Sequence, residues 1–171
     1  MPALFILGAV LALAPAAPGD KAMRAYPAMQ QDGGTYAVTT GKANRIESCL
    51  PLDPGADAAK ARAACAALAA RGVPATVTPA VALGTPDQWF PSEDYPAEAL
   101  PKKSSGTVTL IYEIDVQGAA TNCMIYRSSG VKDMDVAACA ALVKRARFTP
   151  ASYKGKPVHA AAISSFGFES L

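Results

Sequence analysis

Two stretches of this chain are identical: Ala63-Ala64-Cys65-Ala66-Ala67-Leu68 and Ala137-Ala138-Cys139-Ala140-Ala141-Leu142. Each has another cysteine sixteen positions upstream, Cys49 and Cys123 respectively. Four cysteines allow three connectivities, and the equal spacing favours Cys49–Cys65 and Cys123–Cys139. Closing a loop of that size is worth roughly 3 kcal/mol in the chain-entropy model. No pair has the Cys-x-x-Cys spacing, which argues against a thioredoxin-type redox site and a zinc ribbon. The likeness continues beyond the cysteines. Arg71 matches Arg145, Thr78-Pro79-Ala80 matches Thr149-Pro150-Ala151, and Gly34-Thr35 precedes Cys49 much as Gly106-Thr107 precedes Cys123. Two related α+β units are expected, with residues 34–83 the degenerate copy and residues 86–171 the intact one.

An even cysteine count suits an oxidising compartment. Residues Ala3 to Ala14 are uncharged and apolar, and Ala14-Pro15-Ala16 supplies a small-x-small pattern. Twelve helical residues would span about 18 Å, short of a ~30 Å hydrocarbon core. A signal peptide over residues 1–17 is expected, then a linker over 18–33 and a periplasmic location; an uncleaved inner-membrane anchor is the alternative. No membrane span is expected in the mature protein.

The intact copy reads as alternating elements. Val108, Leu110, Tyr112, Ile114 and Val116 share one parity, with Thr109, Glu113 and Asp115 on the other, as in a strand with one buried face. Val116-Gln117-Gly118 is a turn, and Ala120 to Arg127 the return strand. A helix is expected from Lys132 to Arg145, with Val136, Cys139, Leu142 and Val143 as its apolar stripe. Asp133 and Asp135 begin it, and Lys144, Arg145 and Arg147 end it, matching the helix dipole. Val158 to Phe168 forms the last strand, and Ser92 to Pro101 a short helix behind Trp89 and Phe90. In the degenerate copy, Pro74 and Pro79 argue against a closing strand.

Direction of travel then fixes the topology. The helix returns the chain so that the last strand can pair antiparallel only with the first. The expected fold is α+β: a three-stranded antiparallel sheet of order 2-1-3 with one helix packed across it, preceded by a β-hairpin/helix repeat. The last strand is an edge, able to accept a further strand. The candidate partner-binding residues on it are Val158, His159, Ala160, Ala162, Ser164 and Phe166.

Other chemistries find little material. Sixteen basic and fourteen acidic side chains give a net charge of +2, too balanced for a chain that grips nucleic acid. The single histidine, His159, leaves no multi-histidine metal site and has no nucleophile motif beside it. Glu113 and Asp115 are the sort of carboxylate pair that solvated strand faces carry. No phosphate-binding glycine loop is present. Neither an enzyme nor a cofactor is expected.

The intact copy resembles the TonB C-terminal domain family. The resemblance is carried by Asp94-Tyr95-Pro96, Gly106-Thr107-Val108, Gly118, Ser128-Ser129-Gly130 with Asp135, Arg145-x-Arg147-Phe148-x-Pro150-Ala151 and Gly155-Lys156-Pro157-Val158. It implies a periplasmic module of an energy-transducing system that binds a short transporter peptide, the TonB box, by strand addition to its last strand. An alternative reading is a structural or assembly protein whose two copies pack together, the first blocking that edge, or which forms a homodimer.

Overall fold

The computed structural model describes residues 23–91 and 105–169. The elements run β1 (Arg24–Ala25), β2 (Met29–Gln31), β3 (Gly34–Thr40), a 3₁₀ turn (Lys42–Asn44), β4 (Ile46–Pro51) and α1 (Ala58–Arg71). Then come β5 (Val77–Thr78), β6 (Ala80–Leu83), α2 (Pro86–Trp89), β7 (Ser105–Ile114), β8 (Ala120–Arg127) and α3 (Lys132–Arg145). The chain closes with β9 (Arg147–Thr149), β10 (Ala151–Tyr153), β11 (Lys156–Val158) and β12 (Ala160–Glu169). The expected signal peptide and the expected Ser92–Pro101 helix, with Tyr95, lie outside the described residues.

The architecture is α+β with several small antiparallel sheets. The long strands pair as β12-β7-β8, and the first half pairs as β2-β3-β4. Period-two alternation places Val108, Leu110, Tyr112 and Ile114 against α3, each no more than 1 % exposed. They join Leu142, Phe148, Trp89, Phe90 and Phe166 in the larger core. The Trp89 ring lies 5.5 Å from Phe148 and the Phe90 ring 4.5 Å from Phe166, distances typical of packed aromatic pairs. A second core gathers Tyr26, Tyr36, Val38 and Ile46 around Ala64 and Leu68 of α1.

In each half a disulfide staples the helix to the second strand. Cys49–Cys65 joins β4 to α1 and Cys123–Cys139 joins β8 to α3, with Cα separations of 5.7 and 5.6 Å, inside the normal bridging range. Local polar contacts set the helix ends. The Asp57 carboxylate accepts from the Lys60 amide at 2.8 Å to start α1. At the far end of α3, the Arg147 guanidinium donates to the carbonyls of Ala146 and Lys144 at 2.8 and 3.2 Å. Those carbonyls lack intrahelical partners, so Arg147 acts as a C-terminal cap.

The structure departs from the sequence reading in several places. The linker region 18–33 contains β1 and β2, strands too short to show any period. The first half does have strands after its helix, with Pro79 falling between β5 and β6. They pair outward with the second half, β5 with β10 and β6 with β9, so neither needs a sheet of its own. Ile111, on the supposedly open parity of β7, is only 2 % exposed, because the first half approaches that face as well. Val136 and Val143 are 53 % and 39 % exposed, while α3 buries Met134, Asp135, Ala141 and Leu142. Small alanines let the helix lie close to the sheet, and the disulfide fixes its rotation there.

Two single bridges link the sheets into a ring. Tyr26 pairs with Ala161, and Ala119 with Arg147, so β9, β6, β1, β12, β7 and β8 follow one another around to β9 again. Every strand of that circuit sends at least one side chain into the larger core.

Candidate functional site

The candidate site is the outer edge of β12. This strand pairs with β7 without a register shift, from Ala160↔Ile114 to Glu169↔Ser105. Ala160, Ala162, Ser164 and Phe166 point inward and are 2, 7, 3 and 3 % exposed. Their side chains belong to the core, which no docked strand can reach. The Ser164 hydroxyl sits 3.1 Å from the Tyr112 hydroxyl, and burial raises the Tyr112 phenol above its ordinary pKa. Val158 belongs to another strand: it pairs with Ala151 in the β10–β11 hairpin. His159 is exposed and lies between the two strands. The expected last strand from Val158 to Phe168 is thus broken at His159.

The groups able to receive a strand lie on the other parity. The Ala161 amide donates to the Tyr26 carbonyl at 3.0 Å, pointing away from β7. Because N–H and C=O directions repeat every second residue, Ile163, Ser165 and Gly167 turn their backbone groups the same way. Among the described residues, Tyr26 is the one strand-type partner on this side, and it stops at Ala161. The edge is therefore occupied by the chain's own first half at Ala161, with β3 packed nearby, while Ile163, Ser165 and Gly167 beyond it are half-buried.

A cleft of about 200 Å³ adjoins this open portion. Thr39, Ser48 and Leu50 of the first half face Thr109, Ile163 and Ser165 of the second across it, with Tyr126 and Arg127 also in its wall. Thr109 and Ser165 hydrogen-bond through their hydroxyls at 2.9 Å. The lining is rich in hydroxyls with two aliphatic side chains, suited to hold small or aliphatic residues rather than to perform acid–base chemistry. The residues singled out from the sequence lie on the inward parity, whereas Ala161, Ile163 and Ser165 direct their backbone groups outward and Tyr26 pairs with the first of them. The apolar parity drew attention to side chains, whereas a strand-docking edge is made of backbone.

Among the described residues, no group of three or more His, Cys, Asp or Glu is placed to hold a metal ion. No helix among them is long and apolar enough to cross a membrane. No curated protein and no solved structure matches the chain. Residues 91–169 match the family model described as Gram-negative bacterial TonB protein C-terminal. That match associates the chain with TonB-dependent transport, with outer-membrane transporters as interacting proteins and with the Gram-negative cell envelope. The segment from residue 91 to residue 169, which holds β7 to β12, belongs to the TonB C-terminal domain family.

Proposed function

We propose that this chain is a non-enzymatic periplasmic binding module that takes an extended segment of an outer-membrane transporter as an added strand on β12. The docking run is Ile163 to Gly167, shorter than the whole strand because Tyr26 already holds Ala161. The observation that carries this reading is the outward set of amides and carbonyls beyond Ala161, next to a cleft able to take alternate side chains.

Magnitudes point to weak, reversible capture. The N–H and C=O groups of three residues could form up to six hydrogen bonds, each worth about 1 kcal/mol net. Association and ordering costs of several kcal/mol offset most of this, so the backbone bonds alone give a Kd on the order of millimolar or weaker. A module that must release its partner after each event suits that range.

The test is a titration of the isotope-labelled chain with a transporter-derived TonB-box peptide, following amide shifts. Shifts are expected at Ile163, Ser165 and Gly167, with smaller ones at their β7 partners. A full titration that leaves those amides unmoved would defeat the reading. Ser165→Pro is the matched control. Its amide faces away from β7, so the ladder keeps its bonds while the edge loses a donor and gains a ring.

A further inference from the structure

The ladders between the two halves are images of one another. The offset that carries Thr78-Pro79-Ala80 onto Thr149-Pro150-Ala151 carries the pairs Val81↔Thr149 and Ala82↔Phe148 onto Ser152↔Thr78 and Tyr153↔Val77. These are the β6–β9 and β5–β10 ladders. The same offset takes β6 onto β10, and each of these strands has a second neighbour. For β10 it is β11, through Ala151↔Val158 and Ser152↔Pro157. For β6 it is β1, through Ala80↔Ala25 and Val81↔Arg24. Arg24 and Ala25 therefore stand to the first half as Pro157 and Val158 stand to the second.

The next strands along the chain correspond too. After β11 the chain enters β12, which pairs with β7 in the order β12-β7-β8; after β1 it enters β2, which pairs with β3 in the order β2-β3-β4. In the second half, Lys154-Gly155 turns β10 into β11, with Gly155 at φ +77. The equivalent pair in the first half is Leu83-Gly84, and Gly84 also holds a positive φ of +90. The Ala82 amide donates to the Met23 carbonyl at 2.9 Å, where a hairpin across Leu83-Gly84 would close. The turn residue is there, but the chain leaves it for α2 and the strand arrives from the other end.

We infer that residues 23–31 are the closing strand of the first half, carried on its N-terminal side, and that the slot they fill between β6 and Ala161 is a docking site for this extended segment. The slot is independent of peptide capture at Ile163–Gly167, which uses a different stretch of β12. Its filling also explains how the first half completes a core although the sequence after its helix provides no full-length last strand.

The test cuts the full chain once, at a protease site placed in the Asp32-Gly33 turn. Both residues are exposed, and nothing lies within 4 Å of the Gly33 Cβ position, so the insertion disturbs no packing. The cut segment should stay bound through gel filtration and leave in denaturant. A synthetic peptide of residues 23–32 should then rebind the stripped chain and slow exchange at the Ala82 and Ala161 amides by on the order of tenfold or more. A scrambled peptide should do neither. Departure of the segment on cutting, with exchange at Ala82 and Ala161 unchanged, overturns the inference. Should the stripped chain fail to refold, the cut but unstripped protein is incubated with isotope-labelled peptide and read by native mass spectrometry; swapping supports the slot and its absence overturns it.

Discussion

Gly118 offers the sharpest test of how the ring is closed. It sits at φ +85 in the β7–β8 turn, held by its amide to the Asp115 carbonyl at 3.0 Å. Its own carbonyl accepts from the Phe148 amide at 2.8 Å, beside the Ala119–Arg147 bridge. A Cβ added here would fall 1.9 Å from the Phe148 carbonyl oxygen, which is backbone and cannot rotate aside. Gly118→Ala therefore carries two penalties. The left-handed conformation costs about 1–2 kcal/mol for a residue with a Cβ. Pushing β9 away to relieve the overlap loses the Phe148 hydrogen bond and strips a buried group of its partner, a further ~1–3 kcal/mol. The expected total is about 2–5 kcal/mol. Gly155→Ala isolates the first penalty, because Gly155 has φ +77 and nothing within 4 Å of its Cβ position. Urea melts of both variants should show Gly155→Ala losing about 1–2 kcal/mol and Gly118→Ala roughly twice that or more. Equal losses would refute the argument that backbone crowding against β9, rather than dihedral strain, makes this glycine necessary.

Three other outcomes are expected from the same contacts. Asp135 is 2 % exposed and accepts from the Ser129 amide at 3.0 Å and from both the Ser128 and Ser129 hydroxyls at 2.5 Å; Asp135→Ala should cost about 2–4 kcal/mol in a denaturant melt and loosen the loop before α3. Replacing Cys123 and Cys139 together with alanine should cost roughly 3 kcal/mol, read as a lowered urea midpoint under oxidising conditions. Burial holds the Tyr112 phenol protonated beyond its ordinary range, so the unfolded chain releases that proton first. Stability from this group is whole below pH ~10 and falls as pH rises beyond it, and melts between pH 9 and 11 should show Tyr112→Phe blunting the fall.

The parts legible in the sequence were those with local cause. β8 begins at Ala120 because Gly118 turns the chain there, and it ends at Arg127 because Ser128-Ser129-Gly130 follows. The helix from Lys132 to Arg145 is bounded by that loop and by Arg147. The cysteine pairs reached their partners because equal spacing reflects equal geometry. The elements that stayed hidden were settled by distant neighbours. Arg24–Ala25 and Val77–Thr78 are two-residue strands whose pairing lies in residues far along the chain, so no window of sequence contains the reason for them. Met134, Asp135, Ala141 and Leu142 of α3 face inward rather than its two valines, a rotation that the apolar spacing alone does not settle. The outward backbone groups of β12 are not legible from its apolar parity, since hydrophobic alternation reports where side chains go and an edge is read in amides.

The bridge between Tyr26 and Ala161 also orders events in time. Tyr26 has no partner until Ala161, far along the chain, has been made, and the six-strand circuit cannot shut before then. Contacts of such long separation are slow to form, and Tyr26, which closes the circuit, packs in the second core. The circuit should consequently close late and cooperatively, with Tyr26 waiting for Ala161.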